Sequence, residues 1–252
     1  MSAAGAAIGS AVPAAVLVAA FLYFALRAAT RAPDPDAANK GGKRILGLFL
    51  RDYWYWLHGP AERFVLARGI SPDALTLAGL GLTGLAGLAY ATGFFGLAGW
   101  LVVAGGALDI LDGKVARKRG LTRPAGAFLD STLDRYGDWA LFTGLAVFYR
   151  HQTVIFMAAL LALGGSFFVP YVRARAEALG VSCRDGWLQR GERFFFLATT
   201  GIFTPILAAA GMPYAAPMAV MLGVLALLGN LTAVMRLLDA YRRLAALPTA
   251  AP

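Results

Sequence analysis

The sequence predicts an all-α polytopic membrane protein: a six-helix transmembrane core, a cytosolic interfacial helix beside it, and an extra hydrophobic helix at the N-terminus. Three observations lead there. Of 252 residues, 59% are hydrophobic and 15% charged, with mean hydropathy +0.63, which is too apolar for an ordinary soluble domain. Apolar stretches of membrane-spanning character recur at Ser2–Leu26, Leu75–Val103, Ala125–Phe148, Val154–Val172, Phe194–Leu207 and Tyr214–Val234. Basic residues gather in alternate loops between them.

Taken in order, residues 1–30 read as an anchor helix: the first 26 are uncharged, and Arg27, Arg31, Lys40, Lys43 and Arg44 follow them. A cleaved secretory signal carries its basic residues before the apolar run, so this segment is expected to be retained, with its amino end outside. Residues 31–44, with Pro33, Pro35 and Gly41-Gly42, read as a linker. Within residues 45–69, the stretch from Ile45 to His58 holds Tyr53, Trp54, Tyr55 and Trp56 beside Arg51 and Asp52, a mixture suited to an interfacial amphipathic segment. Residues 70–245 form the six-helix domain and 246–252 a tail. Ser71-Pro72-Asp73 starts the first core helix as cap, first-turn proline and first-turn acid. Gly79, Thr83, Gly87 and Ala91 make a small-residue stripe for close packing. The run from Leu75 continues past Gly105, so it must be two helices, with a turn expected at Gly93–Gly99.

Loop charges set the expected orientation. Lys114, Arg117, Lys118, Arg119 and Arg123 fall in one loop, Arg173, Arg175, Arg184, Arg190 and Arg193 in another, and Arg236, Arg242 and Arg243 near the end, whereas the opposite loops hold only Arg150. By the positive-inside rule the basic loops face the cytosol of a cell membrane. The net charge of +9 is then an orientation signal; with no soluble basic domain to hold a duplex, no nucleic-acid partner is expected. A single cysteine, Cys183, excludes an internal disulfide and a multi-cysteine zinc site, and His58 and His151 form no nucleophile pair with it.

The chemistry concentrates in Asp109-x-x-Asp112-Gly113-x-x-Ala116-Arg117-x8-Gly126-x-x-x-Asp130-x-x-x-Asp134. Carboxylates three or four apart project from one helix face, and each costs about 2.5–3.5 kcal/mol in a membrane segment, so the cluster calls for a compensating cation. Hard oxygen ligands favour Mg or Mn. Small residues let a ligand approach the backbone, and the Arg117 fork suits phosphate oxygens. Arg135 and Asp138, on the same helix as Asp134, read as a buried pair.

These eight motif positions, with their gap lengths, resemble the CDP-alcohol phosphotransferases, and a weaker likeness runs from about Ile45 to Arg193. The resemblance implies transfer of a phosphatidyl or related lipid phosphate group from a CDP-linked lipid such as CDP-diacylglycerol to an alcohol, with release of CMP. It implies two Mg or Mn ions on Asp109, Asp112, Asp130 and Asp134, with Asp134 also the catalytic base. Asp112, Gly113, Ala116, Arg117 and Gly126 are then nucleotide-binding, with Thr76 and Asp73 as further candidates. It also implies a homodimer among membrane lipids.

The stretch Tyr171 to Glu177 and the segment Gln189-Arg190-Gly191-Glu192-Arg193 are similar to those of phosphatidylinositol phosphate synthases and their archaeal relatives. That implies a phosphorylated polyol acceptor, inositol 1-phosphate, held by Arg173, Arg175, Arg193 and Arg190; an anionic acceptor entering an acidic site needs such arginines. The pattern departs at Arg173, where lysine is usual, at Gly191, where proline is usual, and at Gln189, where an acid is usual. The competing reading is that these arginines mark topology and pair with Glu177 and Glu192. Other acceptors to weigh are glycerol 3-phosphate, serine, ethanolamine and choline. A divalent-metal transporter is the alternative of another class, but it predicts ionisable groups on both sides of the midplane, and the outer half holds almost none.

Overall fold

The computed structural model describes residues 3–27, 47–182 and 188–246, and all its regular elements there are helices. They are α1 (Ala3–Arg27), α2 (Gly47–Leu57), α3 (Gly59–Arg68), α4 (Pro72–Ala91), α5 (Phe95–Lys118), α6 (Pro124–Phe148), α7 (Thr153–Ala178), α8 (Arg190–Ala209) and α9 (Ala216–Ala245). The expected linker and tail, and Cys183 and Arg184, lie outside the described residues, apart from Ala246.

Among the described residues, five helices are long and apolar enough to cross a membrane, α1, α4, α5, α7 and α9, so the chain is an integral, polytopic membrane protein. Helices α6 and α8 fall outside that set. The first carries Asp130, Asp134, Arg135 and Asp138, and the second Arg190, Glu192 and Arg193.

Local signals act where the sequence places them. The Ser71 hydroxyl accepts from the Ala74 N–H at 3.2 Å and caps α4, with Pro72 in its first turn. Pro124 occupies the first turn of α6. Gln189 and Glu192 form a reciprocal capping box at the start of α8, so Glu192 serves the backbone rather than an arginine. The aromatic segment is two helices, broken at His58 with Pro60 opening the second.

The turn between α4 and α5 is shorter than the expected Gly93–Gly99. It comprises Thr92 to Phe94, with Gly93 at φ 82, while Gly96 and Gly99 belong to α5. Gly99 is a contact glycine instead: a Cβ there would come within 2.6 Å of the Ala198 carbonyl of α8. The stripe on α4 packs as its composition suggests. Gly79 lies against Gly105 of α5, and Gly87 against Ala140 and Gly144 of α6.

Short turns make α4 to α7 run up and down. One end of the bundle holds the turns near Gly93, Arg150 and Gly211, sealed by Tyr214, which stacks on Phe95 at 5.3 Å and donates to the Gly93 carbonyl at 2.8 Å. The other end gathers the start of α4, the α5–α6 connection, the end of α7 and the start of α8. Helix α1 packs along α8 and α5 and is tied to α2 by Phe24, buried among Phe49, Tyr53 and Trp56, and by the Tyr53 hydroxyl donating to Leu17 O at 2.8 Å.

The α4–α6 seam has no room to give, since a Cβ at Gly144 would meet Gly87 O at 2.0 Å. Gly144→Val should therefore lower stability by about 1–3 kcal/mol or more, read as a fall in the thermal midpoint of the detergent-solubilised protein. An unchanged midpoint would show that the seam is loose.

Candidate active site

The site is built where the last three turns of α5 meet the first turns of α6. Helical spacing puts Asp109 and Asp112 on one face of α5 and Asp130 and Asp134 on one face of α6. Asp109, Asp112 and Asp130 each offer a carboxylate oxygen within 4.8 Å of the others. Asp112 is buried and accepts a hydrogen bond of 2.6 Å from the Thr76 hydroxyl of α4, which in turn also donates to Pro72 O at 3.1 Å.

Three carboxylates this close repel one another in a poorly hydrated bundle, and all three are hard oxygen donors. The residues present thus fit a divalent cation of the Mg or Mn type. Asp112 holds the buried position and Thr76 orients it, as an outer partner orients a metal-bound ligand.

Asp134 stands apart from that trio. Arg190 of α8 bridges it to Asp109, with Nη1 2.8 Å from Asp109 Oδ1 and 3.0 Å from Asp134 Oδ1, and its guanidinium lies over the Phe194 ring at 4.3 Å. One turn on, Arg193 Nη2 binds Asp138 Oδ2 at 2.7 Å, with both side chains 4% exposed. Asp138 is therefore paired across helices with Arg193. The expected Arg135–Asp138 pair does not form: Arg135 instead reaches Ser131 O and approaches Asp134 at 3.9 Å. The reason is that the buried Asp138 charge needs a cation that reaches it in the interior, and Arg193 is buried beside it whereas Arg135 is half-exposed.

A cavity of about 20 Å³, room for roughly one water, lies beside the acids and is lined by Thr76, Gly79, Leu80, Thr83, Gly105, Asp109, Leu133, Asp134, Gly137 and Arg190. Gly113, Ala116 and Gly126 are half-buried around the α5–α6 connection; Arg117, at the exposed end of α5, folds back so that a Cβ on Gly113 would lie 3.2 Å from its Nη1. Asp73 is paired with Arg123. Arg173 and Arg175 are exposed near the end of the continuous helix α7, and Arg173 binds Glu177 at 3.0 Å.

Two links escape a reading of the sequence: the Arg193–Asp138 pair and the placement of Arg190 between Asp109 and Asp134. A signal for them exists. Arginines three apart on α8 match acids four apart on α6, complementary charges at matched helical spacing.

Replacing Thr76 by Val should weaken Mn²⁺ binding about 10- to 100-fold, the usual cost of losing an outer partner, and Asp112→Asn should weaken it further. Titration of free Mn²⁺ by electron paramagnetic resonance measures both. Equal affinity in Asp112→Asn and the unmodified protein would separate the trio from metal binding.

Residues 69–240 match the CDP-alcohol phosphatidyltransferase family. The chain is 35% identical to a phosphatidylinositol phosphate synthase of Mycobacteroides abscessus over 165 residues, 63% of this chain and 74% of that one. It is 35% identical to an archaetidylinositol phosphate synthase of Methanothermobacter thermautotrophicus over 172 residues, 68% and 84% of the two chains. Its fold is similar to crystal structures of the Mycobacterium tuberculosis phosphatidylinositol phosphate synthase, each at 30% identity and over 72% of this chain: one with manganese and citrate, TM-score 0.66 over 88% of that chain, and one with CDP-DAG bound, TM-score 0.64 over 92%. With the motif intact and the family match spanning well over half its length, this chain belongs to the CDP-alcohol phosphatidyltransferase family and is an enzyme of CDP-alcohol phosphatidyl transfer.

Proposed function

We propose that the protein transfers a phosphatidyl group from CDP-diacylglycerol, or a related lipid phosphate group, to the hydroxyl of inositol 1-phosphate, giving phosphatidylinositol phosphate and CMP. The observation that carries the acceptor is Arg190, a guanidinium placed between two acids of the site, where an anionic acceptor needs a positive charge. The relatives named for inositol phosphate acceptors support it. Arg173 and Arg175, exposed at the same end of the bundle, extend the positive rim toward the acceptor, and Arg193 holds α8 in register behind Arg190.

In this reading Asp109, Asp112 and Asp130, joined by Asp134, hold two Mg or Mn ions, which supply charge neutralisation at the diphosphate. Gly113, Ala116 and Gly126 leave room for the nucleotide, Arg117 binds its phosphates, and Thr76 and Asp73 border it. Asp134 takes the proton from the acceptor hydroxyl. The hydroxyl oxygen bonds to the lipid-side phosphorus, the bond from that phosphorus to the bridging oxygen breaks, and CMP leaves with the electron pair. Arg190, already bonded to Asp134, sets the orientation of that carboxylate.

The functional unit is a six-helix membrane core, α4 to α9, with α2 and α3 at the interface and α1 as anchor. It is oriented with its basic end and active site toward the cytosol and is paired as a homodimer.

Among inositol 1-phosphate, glycerol 3-phosphate, serine, ethanolamine and choline, the first should give the highest kcat/KM for CMP release with Mg²⁺ or Mn²⁺, and Arg175→Ala should raise its KM. A higher kcat/KM for another acceptor would reassign the substrate. Asp134→Asn should reduce kcat by about 10²-fold or more while CDP-lipid binding persists; lost binding would place Asp134 among the indispensable metal ligands.

A further inference from the structure

The basic residues that close α5 contribute more than a topological signal. Lys114 and Lys118, one turn apart, both reach Glu62 of α3: Lys114 Nζ lies 3.0 Å from Oε2, and Lys118 engages Oε1. Glu62 and Lys114 are buried, and the Lys114 ammonium also sits 4.7 Å from the centre of the Tyr55 ring of α2. The next basic residue, Arg119, donates to Leu66 O at 3.3 Å, in the last turn of α3, and to Ile70 O at 3.1 Å, just beyond it. Val65, Leu75, Leu111 and Val115 fill the space between.

Lys114 is two residues past Asp112, so it leaves α5 on a different face from the acids. Helix α3 passes through Gly69, at φ 69, into Ser71 and the start of α4, whose second turn carries Thr76 and its bond to Asp112. A buried ion pair is in general no more stabilising than apolar side chains of the same volume, and its best-attested use is to fix register.

We propose that Glu62 is a positioning residue for the CDP-lipid: by clamping α3 to the back of the motif helix, it fixes the α3–α4 elbow and so the placement of Thr76 and Asp73 against the nucleotide side of the site. This rests on the CDP-lipid transfer described above. The Glu62 carboxyl is ionised at neutral pH. Burial pushes the Glu62 carboxyl up, but Lys118 and Lys114 together outweigh burial and hold it below its ordinary value.

The test compares Glu62→Asp, Glu62→Gln and the double variant Glu62→Gln/Lys114→Met, which leaves no buried lysine without a counter-charge. Initial rates of CMP release are measured against CDP-diacylglycerol and against acceptor, with thermal midpoints and Mn²⁺ affinity alongside. At saturating Mn²⁺, Glu62→Gln and the double variant should raise the KM for CDP-diacylglycerol about tenfold, equivalent to ~1.4 kcal/mol, with kcat and acceptor KM within about twofold, and should weaken Mn²⁺ binding through the displaced Thr76. Glu62→Asp, which keeps the charge, should recover part of the loss. An unchanged CDP-diacylglycerol KM in a folded variant overturns the proposal, as does a parallel loss of kcat and both KM values. Failure of all three variants to fold assigns the clamp to stability alone and overturns it too. An unmodified protein that releases no CMP with any acceptor overturns the transfer reaction itself, and the positioning role falls with it.

Discussion

The arrangement at one end of this bundle follows from the mutual repulsion of carboxylates held in a poorly hydrated place. Asp109, Asp112 and Asp130 converge to within 4.8 Å, with Asp134 a turn away. Each such charge is expensive in an apolar medium unless a cation or donor faces it, so the surrounding elements can be understood as sources of positive charge and hydrogen bonds. Thr76 comes from α4 and Arg190 from α8, and the trio itself fits a divalent ion. Helices from both sides of the site are thus tied to the same acids, which explains why the acids stand at a junction of helices and not on a free face.

Close approach of those helices depends on missing side chains. Gly87 and Gly144 bring α4 to α6, Gly79 and Gly105 bring α4 to α5, and Gly99 and Gly201 bring α5 to α8. In lipid, apolar side chains gain little by leaving one membrane neighbour for another, so packing of backbone on backbone supplies the association. The same contacts fix the distance across which Thr76 must reach Asp112 and Arg190 must reach Asp109. Packing deep in the bundle therefore sets the geometry at its polar end.

Much of this is legible in the chain because helical periodicity converts spacing into faces. The intervals within Asp109–Asp112 and Asp130–Asp134 announce two acidic faces, and Ser71-Pro72 announces the start of α4. What spacing cannot supply is the partner across a helix interface. Arg193 and Asp138 lie 55 residues apart and pair only because α8 packs where it does; read along the sequence, Arg135 is the nearer candidate. Glu62 is hidden for the same reason: in sequence it looks like one more acid on an interfacial helix, and only the fold buries it under two lysines. The α4–α5 turn is misjudged for a different reason, since glycine serves both turns and close contacts: Gly93 does the first, Gly96 and Gly99 the second.

The two arginines of α8 show how one helix can hold a site together while also serving it. Arg193 is enclosed, with a single buried acid beside it, so withdrawing it would strand the Asp138 charge in the interior; it is fixed in place. Arg190, one turn nearer the end, keeps 23% of its side chain exposed and is shared between two acids. A guanidinium has five N–H donors, and here a single nitrogen, Nη1, serves both carboxylates. Of its other donors, Nε is buried and makes no hydrogen bond among the described residues. The deeper pair fixes the helix, and that fixed helix holds the shallower arginine between Asp109 and Asp134.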